Sequence, residues 1–368
     1  MQLRPFQLER YFAQYEFNTR YLLCSSDCES VTIADLLALE PGADSLFQKQ
    51  WLGYTESTGA ASLRREITRL YPGLNPEQIL VHSGAEEGIF LFMQTLLKPG
   101  DHIIVNWPCY QSLFEVARSI GAEVTYWHTR EENNWALDLD ELKSILRPNT
   151  RAIVINTPHN PTGYLMPVAD FSELNRLAQE RGIVLFSDEV YQESEYDPAD
   201  RLPSACQINP LAVSLGVVSK TYGLPGLRIG WMATQDADIF SKMASFKDYT
   251  SICNSAPSEF LAEVALRHRE QLAARNLEII QFNLSILDDF FARQTQRFSW
   301  VKPKAGPIAY PQLIGEKVDS FCHELVTQQG VLLLPGTLYG DESNHFRIGF
   351  GRKNLPAAIE QLEIFLKN

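Results

Sequence analysis

The chain has 368 residues, with 45 Asp plus Glu against 32 Lys plus Arg, and its formal net charge of -13 makes nucleic acid an unexpected partner. Hydrophobic residues make up 45%, ample for a large core, which excludes wholesale disorder; at roughly 150 residues per domain the length suggests about two domains. No apolar stretch approaches the ~20 residues that cross a bilayer, and the opening MQLRPFQLERYF is charged from its fourth residue without a hydrophobic signal core, so a soluble, cytoplasmic protein is expected.

No segment is low in complexity and no internal repeat is present, so the organisation must come from the order of elements. The first 44 residues lack any βα rhythm. From about residue 60 to 220, short β-branched runs alternate with amphipathic stretches. ILVHSG (79 to 84) precedes a helical AEEGIFLFMQTLL, and HIIVNWP (102 to 108) precedes YQSLFEVARSIG. VTYWHT (124 to 129) precedes a helix opening at Asp138, with Glu141 completing a capping box. RAIVIN (151 to 156) precedes a helix with Pro167 at its first position, Val168, Phe171, Leu174, Leu177 and Ala178 on one face, and a stop at Gly182. IVLFSD (183 to 188) and AVSLGVV (212 to 218) follow.

Near-continuously apolar strands of this kind imply a mostly parallel sheet with helices on both faces. After about residue 255 the pattern becomes one long helical stretch (256 to 293), strand-like runs at 298 to 313 and 331 to 335, and helices near 317 to 329 and 356 to 367. The expected fold class is α/β, with a large domain over 45–272 and a smaller, discontinuous α+β domain from 1–44 and 273–368. The six cysteines are scattered without a CxxC pair and the seven histidines are dispersed, so free buried thiols and no metal site are expected.

In open α/β sheets ligands bind beyond the carboxyl ends of the strands, so polar residues just after each apolar run are candidates. Ser83-Gly84-Ala85, Asn160-Pro161-Thr162-Gly163, Asp188-Glu189-Val190-Tyr191 and Ser219-Lys220 form such a set. Taken alone, Lys220 reads as an ordinary surface residue. Desolvated at a strand end, its amine would have a lowered pKa and could form Schiff bases with carbonyls. Gly84-Ala85 at a helix start offers free amides to a phosphate, and Arg228 offers a rigid fork of donors. Asp188, after IVLFS, is costly unless paired, and a protonated ring nitrogen would suit it; the alternative is a helix N-cap. Tyr191 and Asn160 carry donors for a ring hydroxyl, and Tyr110 could stack on an aromatic ring.

NTPHNPTG (156 to 163), SDEVYQE (187 to 193) and SKTYGLPGLRIGW (219 to 231), in that order, resemble the class I/II aminotransferase family of fold-type I pyridoxal-5'-phosphate enzymes. YTESTGAASLR (54 to 64), LLLPG (332 to 336) and FRIGFG (346 to 351) extend the similarity from about residue 50 to the C-terminus. The resemblance implies that Lys220 bonds the cofactor and then moves a proton between the substrate Cα and the cofactor C4'. It further implies that Asp188 pairs with the pyridine nitrogen, Asn160 and Tyr191 bond the ring oxygen, and Tyr110 stacks on the ring. Gly84, Ala85, Ser219 and Arg228 would hold the phosphate, Arg347 the substrate α-carboxylate, with Asn160 beside it. Tyr54 would reach the phosphate of a neighbouring subunit in a homodimer.

Two departures stand out. Val217 occupies a position where the family usually has a phosphate-binding serine, and RYLLCSSDCESVT (20 to 32) lacks the usual glycine-containing substrate loop, weakly resembling the capreomycidine synthase branch, which closes a ring. The leading expectation is an aminotransferase acting on an amino acid and a 2-oxo acid; the alternative is a lyase or cyclase using the same first steps. A non-catalytic protein on this fold would be expected to lack the lysine, which is present. A nicotinamide dehydrogenase would need a GxGxxG after the first strand, which is missing.

Overall fold

The computed structural model describes residues 2–367. The six apolar runs become β1 (Ile79–His82), β2 (His102–Trp107), β3 (Glu123–His128), β4 (Thr150–Asn156), β5 (Val184–Asp188) and β6 (Ala212–Val217), and a seventh strand not expected from the sequence, β7 (Gly230–Thr234), follows the glycine-rich stretch after Lys220. They form one sheet in the order β1-β7-β6-β5-β4-β2-β3. From β3 to β6 each pair is parallel, whereas β7 runs antiparallel to both β6 and β1.

Period-two alternation sends successive apolar residues to opposite faces, and both faces are covered. Ile103, Val105, Val154 and Phe186 pack with Ile89 and Leu113 of the helices Gly84–Leu96 and Ser112–Ile120. Ile104, Ile153, Ile155 and Leu185 pack with Phe171 and Leu174 of the helix Val168–Glu180. This is the α/β architecture expected.

Beyond the sheet, β8 (Phe298–Ser299) pairs with β10 (Gln312–Leu313), and β12 (Phe346–Gly349) lies between β9 (Ile308–Ala309) and β11 (Leu334–Pro335). Tyr21 bridges Val331, and Tyr21, Leu23 and Cys28 share a core with Leu325, Leu333 and Phe346. Leu36, Leu37 and Ala43 instead pack with Leu63, Ile67 and Leu261. The N-terminal helix Gln7–Tyr15 spans between units: the Gln7 amide donates to Gln111 Oε1 (2.9 Å) and the Tyr11 hydroxyl to the Leu333 carbonyl (2.9 Å).

Three local expectations change. Asp138 caps its helix by accepting from the amides of Asp140 (2.8 Å) and Glu141 (3.4 Å), without the return bond from the Glu141 side chain that a capping box needs. The stretch 256 to 293 is two helices, Ala256–Arg267 and Arg269–Arg293, broken at His268 (φ -112°, ψ 21°) without Gly or Pro. The break lets Leu261 and Leu266 bury beside the sheet while Leu287 and Phe290 enter the C-terminal core. Pro167 is the N-cap, so the helix starts one residue later; Val168 stays 47% exposed, and Asn175 joins the buried face, donating to the Phe171 carbonyl. All six cysteines are unpaired. Among the described residues no helix is long and apolar enough to cross a membrane, and no group of three His, Cys, Asp or Glu could hold a metal ion.

Candidate active site

The carboxyl ends of β4, β5 and β6 open into one cavity of about 380 Å³. Ala85, Tyr110, Asn160, Asp188, Tyr191, Ser219, Lys220, Arg228 and Arg347 all line it. Gly84 sits under Arg228, and Tyr54 lies outside the cavity, 87% exposed.

Lys220 follows β6 by three residues, and its Nζ donates to Ser26 Oγ at 2.9 Å, with the Tyr191 ring 5.9 Å away. Burial lowers its pKa, opposed by Asp27 and aided by Arg347. A lysine so placed holds more of the neutral, nucleophilic amine than a surface lysine does.

Asp188 ends β5 in register with Asn156 of β4. Asn156 Nδ2 donates to the Asp188 backbone carbonyl (2.9 Å), and the Val190 amide donates to Asp188 Oδ1 (3.2 Å). Burial pushes the Asp188 carboxyl up to about 7, against the pull of the Val190 amide and of Lys220. A buried carboxyl held this way is completed by a cationic N–H.

Arg347, on β12, is 1% exposed. Its Nε donates to the Cys24 carbonyl (2.9 Å), and its Nη1 to Tyr339 Oη (2.7 Å) and Asn160 Oδ1 (3.2 Å). Tyr339 Oη donates in turn to Asn160 Oδ1 (3.0 Å). With its oxygen facing two donors, Asn160 has its NH₂ left for a ligand.

Gly84 opens the helix Gly84–Leu96 at φ +71°, and a Cβ there would collide with the Arg228 guanidinium. The first-turn amides have no intrahelical acceptor and, with the helix dipole, suit an anion. Arg228 itself adopts φ +53°, uncommon for a residue with a side chain, and donates Nη1 to the Pro225 carbonyl (3.1 Å). Below this turn His82 Nδ1 lies 2.8 Å from the Gly84 carbonyl. A carbonyl only accepts, so Nδ1 carries the proton; burial lowers the His82 pKa to about 4, keeping the ring neutral.

Two further atoms point to a ligand. Tyr191 Oη and Ser219 Oγ, on residues 2% and 6% exposed, have no hydrogen-bond partner among the described residues. Amides plus Arg228 suit a phosphate, Tyr191 and Asn160 a hydroxylated ring, Asp188 a ring nitrogen and Lys220 an aldehyde.

Several lining residues escape sequence reasoning. Glu9, Phe12, Glu16, Ser26 and Asp27 belong to the N-terminal segment, which carries no strand-end signature. Glu86 could have been found, because it follows Gly84-Ala85 on the same first turn. Tyr339, from the short turn Gly336–Tyr339, does not line the cavity but bonds Arg347 and Asn160, which do, and it has no local signal at all.

The chain matches the aminotransferase class I and II family over residues 22–362. It is 30% identical to capreomycidine synthase of Streptomyces vinaceus, an alignment spanning 96% of this chain and 93% of that protein. It superposes on the crystal structure of a PLP-dependent aminotransferase from Streptococcus suis with a TM-score of 0.94 and 32% identity, covering 100% of this chain and 98% of the other. A PLP-dependent cyclase, OrfR, superposes with a TM-score of 0.92 and 28% identity, over 100% and 98% of the two chains.

Proposed function

This chain belongs to the aminotransferase class I and II family, and we propose that it passes the amino group of an amino acid to a 2-oxo acid, with Lys220 as the cofactor-bonding and proton-carrying residue. Its cofactor is pyridoxal 5'-phosphate, which when bound supplies an aldehyde that takes up an amine and a protonated ring that draws electrons from the amino acid's α-carbon. The observation that carries the proposal is the meeting of Lys220, Asp188, Asn160, Tyr191 and Arg347 in one cavity with a desolvated lysine amine.

Each residue has a task in this reading. Arg347 clamps the α-carboxylate as a planar fork of donors. Lys220 Nζ, with neutral amine available, takes the proton from the substrate α-carbon. Asp188 holds positive charge on the ring nitrogen, Asn160 and Tyr191 donate to the ring oxygen, and Gly84, Ala85, Ser219 and Arg228 hold the phosphate. Tyr110 covers the ring face. The donor amino acid leaves as its 2-oxo acid, and a second 2-oxo acid leaves as an amino acid.

A homodimer with shared sites completes the proposal. Trp51, Leu52, Tyr54 and Tyr249 are 78%, 80%, 87% and 88% exposed. They belong to neighbouring segments, since Lys247 Nζ donates to the carbonyls of Ser57 (2.8 Å) and Ile252 (2.9 Å). Large exposed apolar side chains of this kind suit a protein interface, and Tyr54 among them would reach a neighbouring copy's phosphate.

A second reading is ring closure or elimination after the same loss of the α-proton, favoured by the 30% identity to capreomycidine synthase across 96% of this chain. Borohydride reduction of cofactor-loaded protein, followed by peptide mapping, should place the label on Lys220. A label elsewhere, or none, would sink both readings. Product analysis then separates them: a 2-oxo acid formed only with an added 2-oxo acceptor supports transamination, whereas ammonia or a cyclised amino acid without an acceptor supports the second.

A further inference from the structure

Lys220 takes its hydrogen-bond partner from a part of the chain with no regular structure. Its Nζ donates to Ser26 Oγ at 2.9 Å across 194 positions of sequence, and both residues line the cavity. Residues 22–32 form no helix or strand, and what fixes them is β12 with the turn after it. The Gly349 amide donates to the Leu23 carbonyl (2.8 Å), Arg347 Nε to the Cys24 carbonyl (2.9 Å) and the Glu29 amide to the Gly351 carbonyl (2.8 Å). A Cβ at Gly349 would collide with the Ser25 carbonyl, and one at Gly351 with the Asp27 carbonyl. Both glycines of FRIGFG therefore serve to let this segment lie against β12, with Ser26 delivered to the lysine.

The group so delivered is neutral. Asp27, one residue further on, is engaged by Arg352 Nη2 at 2.9 and 3.1 Å. A carboxylate at the Ser26 position would hold Lys220 as an ammonium, whereas a hydroxyl accepts from the amine without adding charge. The charged and titratable groups around Nζ are Asp27, Cys28 and Glu16 of the N-terminal segment, Asp188 and Tyr191 at and after the end of β5, and Arg347 of β12. Ser26 differs from all of them in touching Nζ by a direct hydrogen bond while carrying no charge of its own.

On the reading of Lys220 as the residue that bonds the cofactor and carries the α-proton, we propose that Ser26 is a positioning residue: its Oγ accepts from Nζ whenever Nζ bears a proton, and so fixes where that nitrogen points during proton transfer. The proton moves from the substrate α-carbon to Nζ, and Oγ gives up none. Ser26 acts through Lys220, holding one of its N–H groups so that the nitrogen stays within reach of the reacting carbon.

The first test uses pyridoxal 5'-phosphate alone as the probe. Wild type, S26A and S26T are loaded with it, and the pH midpoint of the visible band is read by absorption. Nζ joined to the cofactor has one proton to donate, and a hydrogen bond from it favours the protonated form. Its loss in S26A should therefore lower the midpoint by about half to one pH unit, and S26T, which keeps a hydroxyl, should recover most of the shift. A purely structural role would weaken cofactor retention without moving the midpoint. In turnover, S26A should lower kcat roughly tenfold with KM within about twofold, because a misdirected nitrogen slows proton transfer and leaves the carboxylate clamp in place. A midpoint that is unmoved or raised, a shift that S26T does not recover, or a loss confined to KM overturns this inference alone. Wild type that shows no band takes down the underlying function as well.

Discussion

Tyr339 and Arg347 meet at 2.7 Å, the guanidinium Nη1 donating to the phenolic oxygen, while the same hydroxyl donates to Asn160 Oδ1 at 3.0 Å. One phenol thus fixes the clamp proposed for the substrate and the amide proposed for the cofactor. Replacing Tyr339 by Phe leaves the ring packing and removes both bonds. At about 1 kcal/mol for a hydrogen bond, amino-acid binding should weaken roughly five- to tenfold. Titration of the cofactor band checks this, and unaltered half-saturation would mean that Asn160 and Cys24 alone orient Arg347.

The Asp188 carboxyl is pushed up to about 7 by burial, against roughly 3.9 for a free aspartate. A carboxyl whose pKa rises on folding contributes stability that is present below about pH 4 and is lost as the pH climbs through about 7. Cofactor-free D188N should therefore melt a few degrees above cofactor-free wild type at pH 8, with the gap closing towards pH 4. Adding pyridoxal phosphate at pH 8 should stabilise wild type more than the variant. Thermal melts across pH settle it; a gap that does not vary with pH would mean that Asp188 is already ionised without cofactor.

At Gly84 a Cβ meets two obstacles, the positive φ of +71° and the Arg228 guanidinium. Gly84→Ala should cost about 1–2 kcal/mol of stability and displace Arg228 from the first-turn amides. Cofactor dissociation, followed by fluorescence or dialysis, should become at least roughly tenfold more favourable. Wild-type retention of cofactor would place the phosphate elsewhere.

Val217 ends β6, is 4% exposed and lines the cavity where a phosphate-binding hydroxyl is expected from resemblance. Val217→Ser adds one donor and should tighten cofactor binding by roughly threefold to tenfold. The cofactor-free form should lose stability, because the hydroxyl is then buried without a partner. Equilibrium dialysis at several cofactor concentrations gives the answer, and weaker binding would show that the methyl groups, not a missing donor, suit this wall.

The strands and their end residues were legible because the signals are local. IVLFSD and AVSLGVV are too apolar for an exposed strand, and Asp188 and Lys220 stand where a parallel sheet presents residues to ligands. The break at His268 was not legible, since no Gly or Pro marks it and it serves two separate cores. Nor was the reversal of β7, which depends on its pairing between β6 and β1.

For the site, the order of motifs along the chain was enough to mark Lys220, Asp188, Asn160, Tyr191 and Arg347, because each is tied to a strand end or turn with its own pattern. Glu9, Glu16, Ser26 and Tyr339 are decided by tertiary structure alone. Ser26 meets Lys220 across 194 positions of sequence, and Tyr339 meets Asn160 across 179. Periodicity reports which face of an element is buried, but the partner across such a separation is set by how the N-terminal segment and the β9–β12–β11 sheet close over the carboxyl edge of the main sheet.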